Sequence, residues 1–89
     1  RRDLASSLFN QIDGLSVSVP DGAFYLFVNI KDITNDSMEF STKLLEDIGV
    51  AVVPGVAFGL EGYFRFSFAT DEATIKDGIS RIKKFIDGK

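Results

Sequence analysis

The stretch from Tyr63 to Ala69 constrains this chain more than any other. Phe64, Phe66 and Phe68 fall on one side of an extended backbone, and Tyr63, Arg65, Ser67 and Ala69 on the other. Successive side chains of a strand point to opposite faces, so this alternation predicts a half-buried strand. One face carries three phenylalanines and must be covered; the other carries a permanent charge and must stay open. The cover is written elsewhere in the sequence. Leu4, Leu8 and Ile12, with Ala5 and Phe9 beside them, recur at helical spacing over residues 1–12. Phe40, Leu44 and Ile48, flanked by Leu45, form a second stripe, and Ile75, Ile79, Ile82 and Ile86 a third.

Turn residues punctuate these segments. Gly14 stops the first helix, and Leu15, Val17 and Val19 alternate with Ser16 and Ser18 as a short strand. Pro20-Asp21-Gly22 is a turn signal, after which Ala23–Ile30 resumes as a strand dense in aromatic and β-branched residues. Asp32–Asp36 is polar linker. Asp36 or Ser37 can cap the second helix, with Glu39 placed for a capping box and Gly49 ending it. Val50–Val53 reads as a short apolar strand, residues 54–62 as a glycine-rich loop, and Thr70 as the cap of the last helix. Asp71 and Glu72 suit the positive end of that helix, and Arg81, Lys83 and Lys84 its other half. The order is helix, two strands, helix, two strands, helix. An α+β fold, one small and mostly antiparallel sheet with helices packed on one face, buries all three stripes at once.

With 89 residues, the chain is expected to form a single domain over 1–89. It opens on Arg1-Arg2-Asp3 inside a helical pattern, without an initiator methionine or a cap, which predicts a domain of a longer protein. Ten basic against thirteen acidic residues leave a net charge of -3, which disfavours a nucleic-acid partner. Without cysteine or histidine there is no disulfide, no thiolate zinc site and no histidine base. No apolar run is long enough for a membrane span, so a cytoplasmic location is expected.

Arg65 is the candidate that physical chemistry alone singles out. Its planar guanidinium matches a carboxylate through two parallel hydrogen bonds. It can equally be an exposed arginine on a solvated sheet face, or the ion-pair partner of Glu61 or Asp71. The loop from Pro54 to Gly62, with Gly55 and Gly59, could bring backbone close to a ligand, but it lacks the lysine and the spacing of a phosphate-binding loop. Phe24 or Tyr25 could wall a pocket or fill the core. The acidic residues follow no calcium-loop spacing, and none of Lys31, Lys43, Lys76, Lys83, Lys84 and Lys89 has the surroundings of a desolvated, nucleophilic lysine.

Three blocks go further. Pro20–Phe27 (PDGAFYLF), Gly49–Gly59 (GVAVVPGVAFG) and Gly62–Ala69 (GYFRFSFA) resemble, in order and spacing, the small domain of class I and II aminotransferases, the fold-type-I pyridoxal-phosphate enzymes. The resemblance covers about residues 1–87, and Phe64, where the family more often has an aliphatic residue, is a departure on the buried face. It implies that Arg65 binds the substrate α-carboxylate, that Phe24 lies on the substrate side with Gly22 turning the chain there, and that Pro54, Gly55 and Gly59 shape the loop beside it. It implies that no catalytic residue lies here: the catalytic lysine and most ligands of pyridoxal 5'-phosphate belong to a large domain of the same chain. The implied parent is an aspartate aminotransferase-like homodimer that moves an amino group from an L-amino acid to a 2-oxo acid. It closes this domain over the substrate, and the domain alone is expected to be inactive. A fold-type-I lyase or synthase would share the arginine, and a free-standing α+β ligand-binding module fits the order of elements alone.

Overall fold

Each apolar stripe becomes a helix laid on one sheet. The structure, a computed structural model, describes residues 1–88, so Lys89 lies outside it. Helix α1 spans Arg2–Asn10, and Gln11 and Ile12 continue its turn through bonds to the carbonyls of Leu8 and Phe9. Strands β1 (Ser16–Ser18) and β2 (Tyr25–Asn29) follow, then helix α2 (Ser37–Ile48), strand β3 (Val53–Pro54), a short 3-10 turn over Gly55–Phe58, strand β4 (Tyr63–Ser67) and helix α3 (Glu72–Asp87). The sheet runs β1-β2-β4-β3, and every neighbouring pair is antiparallel. The α+β architecture expected from the periodicities is the one observed.

The register explains the core. Leu26 lies opposite Phe66 and Val28 opposite Phe64, and all four are buried under the helices. Phe9 of α1 meets Phe66 and Phe64 edge-on, with ring centroids 5.0 and 6.0 Å apart. Phe40 of α2 lies stacked at 6.1 Å from Phe64 and edge-on to Phe85 of α3. Such ring pairs add about 0.5–1.5 kcal/mol each to what area burial supplies. Phe64 is the ring on which α1 and α2 both rest.

Several details depart from the sequence expectations. Asp71, not Thr70, caps α3, its carboxylate accepting the Thr74 N–H at 2.7 Å; the carboxylate one residue later reaches the first free amides. That bond to Thr74 also holds the Asp71 carboxyl below its ordinary pKa. Asp36 caps α2 as expected, but the capping box stays half made: its N–H donates to Thr34 Oγ1, and Glu39 pairs with Lys43. Only Val53 of the expected 50–53 strand joins the sheet, together with Pro54 from the expected loop, because the Val50 N–H closes the end of α2 on the Leu44 carbonyl. Arg81 is also no idle surface charge. It binds Asp77 at 3.0 Å and donates to the last α2 carbonyl, that of Ile48, at 3.0 Å, tying α3 to α2.

Candidate functional site: an arginine on an aromatic sheet face

The face of the sheet turned away from the helices carries Tyr25, Phe27 and Asn29 of β2 with Tyr63 and Arg65 of β4, all half-buried. Arg65 stands at the centre of this face, with Phe27 directly across on one side and Val53 of β3 on the other. Its guanidinium carbon lies 4.9 Å from the centroid of the Tyr25 ring and 5.7 Å from that of Phe58. Both fall within the range in which a ring face attracts a cation.

Neither carboxylate that might have paired with Arg65 does so. Asp71 is the α3 cap. Glu61 turns to the start of α2, accepting the Ser37 N–H at 3.2 Å and the Gly62 N–H at 2.6 Å. Hydrogen bonding from the Ser37 side chain, with the Gly62 and Ser37 amides, holds the Glu61 carboxyl below its ordinary pKa against a smaller opposing effect of burial. Among the described residues no acidic group lies within ion-pair distance of Arg65. A half-buried guanidinium that meets no anion among the described residues keeps a fork of N–H donors whose geometry suits a planar carboxylate.

The loop beside it is built to one shape. Pro54 pairs with Phe64 in the sheet and leads into the 3-10 turn. A Cβ on Gly55 would drive into the carbonyl oxygens of Leu60 and Tyr63, so only glycine fits there. Gly59 ends the turn in the left-handed region at φ 78° with open space around it. The Val56 N–H donates to Ser37 Oγ at 3.3 Å and the Leu60 N–H to the Gly55 carbonyl at 2.8 Å. Ser37 and Glu61 thus fasten the loop to α2.

Phe24 and Gly22 sit apart from this cluster. Gly22 lies in the turn before β2, and Phe24 projects beyond the strand at 69% exposure, its ring 6.4 Å from Phe68. Phe24 shares its strand parity with Leu26 and Val28, so it edges the helix-covered side, whereas Tyr25 and Phe27 share the face of Arg65. The rings that meet the guanidinium are therefore Tyr25 and Phe58. The alternation of β2 already contained the first. The second becomes visible only once the turn folds back beside β4.

The comparisons with known proteins decide the family. The family model "Aminotransferase class I and II" matches residues 1–82. The chain belongs to this family. An aspartate aminotransferase of Rhizobium meliloti is 46% identical over 98 residues, covering 98% of this chain and 24% of its own length. A probable aspartate/prephenate aminotransferase of Rickettsia conorii is 43% identical, covering the same shares. Among solved structures, the Rhizobium meliloti enzyme superposes with a TM-score of 0.91 at 43% identity over 97% of this chain, and an alanine aminotransferase of Pyrococcus furiosus with 0.92 at 30% over 99%. The chain spans about a quarter of the length of these relatives.

The family's cofactor, pyridoxal phosphate, finds no cradle among the described residues of this class I and II aminotransferase chain. Every described lysine is exposed; Lys43 and Lys83 are paired with acids, and Lys31 lies over the Tyr63 ring. The amides that open α2 and α3 already serve Glu61, Asp36 and Asp71, leaving no ready phosphate seat. No helix of the described chain is long and apolar enough to cross a membrane, and no group of acidic residues among those described is arranged to hold a metal ion.

Proposed function

We propose that residues 1–89 form the C-terminal small domain of a pyridoxal-phosphate-dependent aminotransferase, and that Arg65 binds the α-carboxylate of its substrate. The observation that carries this reading is the half-buried, anion-free guanidinium at the centre of the open sheet face. A bidentate bond from Arg65 fixes two atoms of an amino acid and therefore its rotation, presenting the Cα substituents in one orientation. That is a positioning role; no proton moves at Arg65, because a guanidinium keeps its charge throughout. The cofactor supplies the electron sink for labilising the Cα bonds and is held by a large domain outside these residues. Pro54, Gly55 and Gly59 keep the loop beside the substrate in place, whereas Phe24 and Gly22, on the other side of the strand, take no part in the clamp. The parent is a homodimer in which this domain closes over the bound amino acid and excludes water.

The names of the relatives span aspartate, aspartate/prephenate, aromatic and alanine aminotransferases on the same small-domain fold. A clamp on the carboxylate common to all amino acids would suit that range of substrates, and aspartate with a 2-oxo acid acceptor is the first pair to try. The test uses the full-length enzyme reconstituted with pyridoxal phosphate and titrated with single amino acids while the cofactor absorption band is followed. Conversion of the band at low aspartate, shifted to roughly hundredfold higher concentration by Arg65→Ala, is expected. A parent that ignores amino acids, or a titration that Arg65→Ala leaves unchanged, would contradict it.

A further inference from the structure

The guanidinium of Arg65 is not free to swing on the open face. Tyr25 reaches it from β2 and Phe58 from the end of the 3-10 turn. The Phe27 ring joins the two, 5.4 Å from Tyr25 and 5.4 Å from Phe58. Three rings in series, with Phe27 bridging the outer two, form one wall, and the cation lies against its two ends. A guanidinium held by ring faces uses its flat surface and leaves its N–H edge free to donate. A side chain restrained in this way loses less freedom when a planar ligand docks.

The wall is itself anchored. Phe58 closes a turn whose first residue admits no Cβ and whose amides are tied to Ser37 Oγ and to the Gly55 carbonyl. Ser37 is fully buried and bound in turn by Glu61. The position of Phe58 is thus fixed by α2 and by the sheet, not by the ligand.

We propose that Phe58, together with Tyr25, is a positioning residue for Arg65, given Arg65 as the carboxylate clamp: the two rings hold the guanidinium edge outward before substrate arrives. Neither ring is asked to touch the reacting atoms. Among the residues near the arginine, Phe58 is the more telling test, because it lies outside the paired strands and its truncation leaves the ladder between β2 and β4 intact.

Steady-state kinetics on the full-length enzyme, comparing Phe58→Leu, Arg65→Ala and the double variant, separate the possibilities. Phe58→Leu is expected to raise KM for the amino acid about three- to fivefold while kcat changes by less than about twofold. In the Arg65→Ala background the same substitution is expected to have no further effect, since the group it positions is gone. Phe58→Tyr, which keeps a ring face, should restore the wild-type KM. An equal effect of Phe58→Leu with and without Arg65 would overturn the positioning role while leaving the clamp in place. An unchanged KM in Arg65→Ala alone would instead remove the clamp, and with it the group to be positioned. Should Phe58→Leu fail to fold, Tyr25→Leu in the same two backgrounds gives the same discrimination.

Discussion

The two faces of one sheet differ in almost everything except the strands that make them. On the helix side, Leu26, Val28, Phe64 and Phe66 are sealed beneath α1, α2 and α3. On the other side, Tyr25, Phe27, Tyr63 and Arg65 are half-buried, and the centre of the face is a charge. A single-residue step along β4 moves from the ring that organises the core to a guanidinium that meets two rings and, among the described residues, no anion. The period of two lets five residues specify both a sealed core face and an open face centred on a charge, and it predicts that damage to the two faces will separate cleanly.

The largest stability effect should come from the sealed face. Phe64→Ala removes the ring on which Phe9 and Phe40 rest and is expected to cost about 3–5 kcal/mol, read as a lowered urea midpoint of the full-length protein. A variant that kept its midpoint would mean that the helices do not depend on that face. Gly55→Ala tests the boundary between the faces. Its Cβ meets the Leu60 and Tyr63 carbonyls, so the turn must shift at a cost of about 2 kcal/mol or more, and Phe58 should leave Arg65. A crystal structure of the variant with the turn unmoved would contradict the account of the loop.

Smaller effects follow from the caps. Asp71→Ala should lower the urea midpoint slightly by freeing the Thr74 amide, with catalysis otherwise intact. The smallest is a pH effect at Glu61. Its carboxyl is held below the ordinary glutamate range in the folded chain, so its contribution is fully present above that range and fades as pH falls through the lowered folded pKa. Glu61→Gln should therefore lower stability modestly at neutral pH and flatten the acid limb of the profile, its difference from the wild type shrinking as pH falls through the lowered folded pKa. An unaltered acid limb would show that the carboxylate does not act as the latch.

Much of this was legible in the sequence because periodicity reports burial. The alternation at 63–69 gave the two faces of β4, the isoleucine stripe gave α3, and Asp36 gave the cap of α2, where the geometry agrees in each case. The failures are equally physical. Thr70 and Asp71 are both good caps, and only the backbone trajectory chooses between them. Val50 is as apolar as a strand residue, but its amide is taken by the end of α2. The partners of Arg65 were hidden for a different reason. Glu61, four residues away, looked like an ion-pair partner, but it turns to Ser37, 24 residues away in sequence. Phe58, seven residues away, reaches Arg65 because a 3-10 turn folds it back beside β4. Such contacts depend on loop path, which no local pattern encodes.

The most direct test of the division between the faces is a paired measurement of kcat/KM for an amino acid and of urea midpoint on full-length Arg65→Ala. Loss of kcat/KM by roughly a hundredfold with a change in stability below about 1 kcal/mol is the predicted result. Unchanged kcat/KM, or a loss that follows unfolding of the variant, would contradict it.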